Sequence, residues 1–294
     1  MNILDVIARE MSLPLDRVAA VVDLLDSGAT VPFIARYRKE RTGSMDDQTL
    51  RALSERLERL RALDKRRAEI LRLIDEQQAL TPELRAKIAA ANTLAALEDL
   101  YRPYRQKRRT RASIAAERGL SPLASLLMLQ QPFSGTLESQ ARRFVSEEKG
   151  VMDVEAALSG ARDIVAERMS DDADCRGTLR SAFVRTGGVS TAAVSEEDST
   201  YTMYYHYTEP VSHIPDHRVL AINRGEREGF LKVKLDMDGD AALDILRRSF
   251  IRRGSPMQEQ LELAAEDAWD RLIEPSLERE IRTMLTERAS AAAI

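Results

Sequence analysis

Between residues 50 and 74 the side chains Leu50, Leu53, Leu57, Leu60, Leu63, Ile70 and Ile74 return at helical intervals, and no other feature limits the fold as much. From Leu50 to Leu60 the steps alternate between three and four residues, the spacing of a short coiled-coil-like seam. A helix of about 30 residues at about 1.5 Å each is about 45 Å long. The expected architecture is therefore mainly α, an elongated multi-helix bundle with a long central helix. Aromatic residues make up only 5% of the chain, so its core has to be aliphatic, as helical packing permits.

The flanking segments fit that plan. Ile3, Leu4, Ile7 and Ala8 form one apolar stripe and Val18, Val21, Val22 and Leu25 a second, each at helical spacing. Ser12-Leu-Pro-Leu separates them and Gly28 is a stop signal, so the chain has a helix-turn-helix-like start. Ser44-Met-Asp-Asp47 reads as a capping box opening the long helix, with an acid where Glu or Gln is usual. Thr81-Pro82, Ser121-Pro122 and Ser255-Pro256 each set a capping hydroxyl before a proline at the first helical position. Further helices are expected at about 137–149, 153–170 and 173–185. After Gly187-Gly188 the texture changes to Ser, Thr, Tyr and two prolines, which predicts irregular connections or short strands. Phe230-Leu-Lys-Val-Lys-Leu235 alternates apolar and basic residues, placing a short β element near 230–236. Helices at about 240–252 and 256–288 close the chain. Three segments follow: 1–130, 131–186 and 187–294, the last leading towards an absent central domain.

No apolar run approaches the roughly 20 residues needed to cross a bilayer, and the amino terminus lacks the basic flank and apolar stretch of a signal peptide. The expected address is the cytoplasm, with no membrane partner. Cys175 is the only cysteine, which excludes an intrachain disulfide and a cysteine-rich zinc site. The net charge of −4 is unevenly spread, with a net of +5 over residues 1–111 and −9 over the rest. Such polarity suits contact with nucleic acid at one end, and equally suits two halves that attract each other.

The charge concentrates in two places. Residues 101–111 hold Arg102, Arg105, Lys107, Arg108, Arg109 and Arg111 beside Tyr101 and Tyr104, with no acid. Cations neutralise phosphates while a neighbouring aromatic stacks on an unpaired base. Pro103 interrupts the helix, so this cluster should straddle a helix end and a loop. The alternative is that these arginines pair with acids of the same chain, Glu98 and Asp99 being adjacent. The second patch is Arg36, Arg38, Lys39 and Arg41, following the helix-turn-helix-like start. A recognition helix would set such residues along a groove or phosphates, and a solvated basic face is the other reading. Pro32 and Phe33-Ile34-Ala35 imply an anchored segment with its tail in water.

Other motifs favour structure over chemistry. His213 and His217 lie four apart with His206 upstream, but Pro215 between them breaks a helical ligand pair, so no metal site is expected. His217-Arg218 is read instead as docking the adjoining helix. Arg224-Gly-Glu-Arg-Glu-Gly229 lacks the ending of a phosphate-binding loop and reads as a helix-to-strand turn. Asp236-Met-Asp-Gly-Asp240 lacks the later glutamate of a calcium loop and reads as a turn. Cys175 sits among Asp171, Asp172 and Asp174, which oppose thiolate formation. No catalytic residue or cofactor is expected.

Four segments together resemble the amino-terminal region of the bacterial Tex family of transcription accessory proteins. They are Thr30–Gly43 (TVPFIARYRKERTG), the stretch from Leu97 through Arg111 (LEDLYRPYRQKRRTR) with its continuation, Tyr201–Val211, and His217–Leu231 (HRVLAINRGEREGFL). The family is related to a eukaryotic elongation factor that travels with RNA polymerase. The resemblance implies a helical region that precedes an RNase H-like fold, helix-hairpin-helix units and an OB-fold RNA-binding domain. It also implies RNA or DNA as partner, with RNA polymerase or ribosome-associated machinery. The expected function is a non-catalytic nucleic-acid-associated scaffold, and its alternative a protein-interaction or intramolecular docking domain.

Overall fold

The computed structural model describes residues 2–106, 109–195 and 197–292. It is mainly α, with one three-stranded antiparallel sheet, and divides into two units, residues 1–101 and 102–294. No helix among the described residues is long and apolar enough to cross a membrane.

The first unit comprises α1 (Ile3–Glu10), α2 (Leu15–Asp26), α3 (Val31–Tyr37), α4 (Lys39–Thr42), α5 (Asp47–Glu76), α6 (Pro82–Ala90) and α7 (Leu94–Tyr101). Leu50, Leu53, Leu57 and Leu60 of α5 close over Ile7, Val18, Val21, Val22, Leu24 and Ile34 in one aliphatic core. The apolar period of the long helix thus becomes its packing seam. Bidentate bonds from Arg56 to Glu10 (2.7 and 2.8 Å) and from Arg61 to Asp26 (both 2.7 Å) pin α5 to α1 and α2. Asp46, not Ser44, caps α5, its Oδ1 accepting from the Thr49 N–H at 2.7 Å. Ser44 follows the left-handed Gly43 and itself has φ 62°, whereas an N-cap needs extended backbone. At α6, Thr81 caps as its sequence predicts, accepting from the Leu84 N–H.

The second unit opens with a 3-10 turn, Arg102–Tyr104, followed by α8 (Arg111–Glu117), α9 (Ser121–Leu129), α10 (Leu137–Ala141), α11 (Val154–Asp171) and α12 (Ala173–Thr186). Three strands follow, β1 (Gly188–Ala193), β2 (His206–Pro210) and β3 (Leu231–Asp236), in the order β2-β1-β3, with α13 (Asp216–Arg227) between β2 and β3. Then come α14 (Gly239–Phe250), α15 (Gln258–Asp267) and α16 (Glu274–Ala292). Leu123, Leu127, Val165, Met169, Leu179 and Phe183 belong to a core that continues through Leu261 and Trp269 to Leu285.

Several boundaries differ from the sequence reading. The helix expected over 137–149 ends in a 3-10 turn at Arg142–Phe144, because Ser146 and Val151 pair through reciprocal backbone bonds and Gly150 takes φ 71°. Ser121 is the first residue of α9, and Leu120 before it provides no side-chain cap. Ser255 accepts from the Met257 N–H, but α15 starts only at Gln258. The closing helix is interrupted by a π-helical turn over Ala268–Ile273, where the Glu274 N–H reaches Trp269 O. Pro275 accounts for it. A proline inside a helix lacks the N–H and crowds the carbonyl four residues back, and a wider turn absorbs both.

Candidate nucleic-acid interface

The sequence Thr30-Val-Pro-Phe-Ile-Ala-Arg-Tyr folds α3 with two dissimilar faces. Pro32 sits in its first turn, where no backbone donor is needed. Ile34 is fully buried and Val31 and Ala35 pack beside it, against the core that α5 lines. Phe33 and Tyr37, four residues apart, therefore share the opposite face, and they are 40% and 65% exposed. Their ring centroids are 5.2 Å apart at a tilt of 44°. The Arg38 guanidinium lies over the Phe33 ring, its Cζ 5.1 Å from the centroid.

The chain then makes the single turn α4, held from beneath by the buried Thr42, whose Oγ1 donates to the carbonyls of Arg38 (3.2 Å) and Lys39 (3.4 Å). Gly43 caps it in the left-handed region at φ 67°. The Arg17 side chain lies where a Cβ on Gly43 would have to go, and its Nη1 donates to Gly43 O at 3.4 Å. Arg36, Arg38, Lys39 and Arg41 are all exposed, and among the described residues none of the four forms an ion pair with an acid. Sequence reasoning named these four cations. It missed Phe33 and Tyr37 as surface aromatics, and it missed Arg17, which only the chain reversal at Gly43 brings here. The i, i+4 spacing of the two aromatics around Ile34 was the available signal.

The 101–111 stretch is built differently. Tyr101 is buried at the end of α7, with the Arg66 guanidinium over its ring at 5.5 Å. Arg66 also bonds Glu98 at 2.6 Å and Glu69 at 2.8 Å. Arg102 pairs with Asp171 at the end of α11 (3.2 Å), and their side chains are only 29% and 13% exposed. Tyr104 is half-buried and Arg105 exposed. Arg109 pairs loosely with Glu117 at 3.5 Å, both well exposed. Arg111 begins α8 behind a reciprocal capping box of Thr110 and Ser113. It lies near Asp163, whose carboxyl is pushed up mainly by burial and held down in part by Arg271 and Arg111. Lys107 and Arg108 fall outside the described residues.

The other motifs resolve into structure. Arg218 donates to Glu209 and to the Tyr207 hydroxyl, docking α13 against β2, while His217 is exposed and His213 bonds Ser212. Gly225 sits in α13 where a Cβ would lie 2.7 Å from Leu231 and 2.9 Å from Tyr201, and Gly229 turns the chain into β3 at φ 83°. Asp238 caps α14. Burial is the main cause that pushes the Cys175 thiol up to about 11, and Asp172 adds to it. Among the described residues no group of three or more His, Cys, Asp or Glu is gathered in a way that would hold a metal.

Fold and surface together define a mainly helical region that displays a basic, aromatic-bearing segment on an aliphatic first unit. Comparison with known proteins gives the lineage. Residues 1–75 match the Tex-like protein N-terminal domain and residues 134–294 the Tex central region-like model. The chain belongs to the Tex family. The protein YdcI of Bacillus subtilis (strain 168) is 43% identical over 293 residues, 98% of this chain and 41% of its own length. The transcriptional accessory protein Tex of Neisseria gonorrhoeae is 45% identical over 243 residues, 82% of this chain and 32% of that protein. S1 RNA-binding domain-containing protein 1 of Homo sapiens is 28% identical over 293 residues, 94% of this chain and 29% of that protein. The chain thus spans well under half the length of these relatives. Residues 36–41 fall inside the first family match, and residues 101–111 inside neither.

Proposed function

We propose that this chain is a non-catalytic, nucleic-acid-associated scaffold of a cytoplasmic transcription accessory protein, and that its first unit meets phosphate through Arg36, Arg38, Lys39 and Arg41. One observation carries this reading: four exposed cations within six residues, none of them paired with an acid among the described residues. Like charges held so close repel, and a polyanion relieves the repulsion while releasing its own counterions. The names of two relatives, a transcriptional accessory protein and an S1 RNA-binding domain-containing protein, agree in kind. The α1–α2 pair ahead of the patch is read as a helix-turn-helix-like brace, and RNA polymerase or ribosome-associated machinery as the setting. The docking alternative is favoured for the 101–111 stretch, where Arg102 already has Asp171 and Arg109 has Glu117.

Anisotropy titrations of the whole chain with labelled single- and double-stranded RNA and DNA, repeated across salt, test the proposal. Four phosphate contacts predict a log–log salt slope of about −3 on single strands, roughly a fiftyfold loss between about 50 and 200 mM salt. No measurable binding at about 50 mM salt overturns it.

A further inference from the structure

We infer that Phe33 and Tyr37 form a stacking platform for an unpaired base, so that the patch takes single-stranded nucleic acid rather than duplex. The inference rests on the phosphate reading above and deepens it. Neither aromatic belongs to the aliphatic core beneath α3, and their exposure is not needed for folding, since Ile34 alone of the helix is fully buried. Scattered exposed apolar residues are ordinary. Here two aromatic rings touch each other, and a guanidinium covers one of them. Tyr37, the more exposed ring, lies next in sequence to both Arg36 and Arg38. A strand whose base lies on a ring has its flanking phosphates within a few ångströms, so cations must border the ring on the same short segment. A duplex offers phosphates but keeps its base faces stacked inside, whereas a single strand offers both. An acidic protein surface would engage the cations without any use for adjacent flat rings, so the aromatic–cationic combination selects the oligonucleotide.

The test uses the whole chain and an adenine-rich single-stranded RNA of about 12 nucleotides, compared with its duplex and with the same strand bearing abasic sites. Phe33→Leu with Tyr37→Leu keeps apolar surface but removes both rings. The single-strand affinity should fall about tenfold or more, with the salt slope unchanged. Duplex binding should be unaltered, and the abasic strand should bind wild type and variant equally. Tyr37→Trp in the otherwise native chain should retain binding. Thermal melting of each variant confirms folding, and because both rings lie on the surface the transition should hold. If the Leu pair binds single strands as wild type does, while alanine at Arg36, Arg38, Lys39 and Arg41 abolishes binding, the platform is wrong and the phosphate reading stands. If wild type binds no oligonucleotide, both fall. If polyglutamate competes as well as the RNA and the Leu pair is unaffected, the surface serves an acidic protein and the platform is overturned.

Discussion

Two stretches of this chain have nearly the same basic-aromatic composition and opposite fates. Residues 101–111 are the denser in charge, yet their first aromatic is buried beneath Arg66 and the pairs Arg102–Asp171 and Arg109–Glu117 draw two of their cations inward. Residues 33–41 carry fewer cations and even an acid, Glu40, but their rings and cations all face water. Charge density along a sequence therefore says little about availability. What decides is whether the fold brings an acid within reach, and helix α11 does this for Arg102 from far along the chain.

The largest expected effect comes from breaking the contrast at its free side. Replacing Arg36, Arg38, Lys39 and Arg41 by alanine should abolish the salt-dependent part of oligonucleotide binding, flattening the salt slope by about 3. The melting temperature should stay within about 2 °C, since surface changes with no partner to orphan lie within about ±0.5 kcal/mol. If the slope persists, phosphate contact belongs elsewhere.

The paired side should show the reverse pattern. Asp171→Ala removes the carboxylate from a largely covered pair and should cost about 1–2 kcal/mol, a drop of several degrees in melting temperature. Cys175 gives a local readout. It is buried, it is the chain's only thiol, and its N–H is held by the Asp172 cap. Reaction with a thiol reagent should be slow in the native protein and faster in Asp171→Ala. Equal rates, with unchanged melting, would mean that the Arg102 pair is ornamental.

Much of this was legible in the sequence, for identifiable reasons. The stripe from Leu50 to Ile74 is buried as its period predicts, and the alternation around Leu231–Leu235 is a strand. Such repeats are read locally, because one face must be covered. The α5 cap moved from Ser44 to Asp46 because Gly43 and Ser44 are both left-handed, a backbone fact that side-chain identity does not carry. Within the site, four cations were legible as charge, but their freedom was not. That freedom depends on where acids such as Asp171 and Glu117 come to lie, and so on tertiary structure.

Arg56 shows that the contrast is between paired and unpaired cations and not between the two units. Its bidentate bond holds the Glu10 carboxyl below the usual carboxylate range, outweighing partial burial. A carboxylate depressed in the folded state contributes stability above its unfolded pKa and loses it as pH falls through the folded value. Glu10→Gln should therefore lower stability by about half a kcal/mol at neutral pH, discounted for solvent screening, and the loss should vanish in acid below the folded value. Chemical denaturation at pH 7 and in the acid range measures it. A loss that is the same at both would assign it to packing and not to the charge pair.

The smallest effect sharpens the comparison most. Arg109 is 73% exposed and its partner Glu117 63%, at 3.5 Å, so solvent screens the pair almost completely. Arg109→Ala should change stability by less than about 0.5 kcal/mol, which leaves binding as the informative measurement. If the 101–111 stretch is structural, single-strand affinity and its salt slope should match wild type within error. A phosphate contact there would instead flatten the slope by about 0.7 with no change in melting, the behaviour expected of residues 36–41. A slope change of that size from so exposed a residue would move the stretch to the free side of the contrast, because a pair this well solvated holds nothing that a phosphate would have to displace.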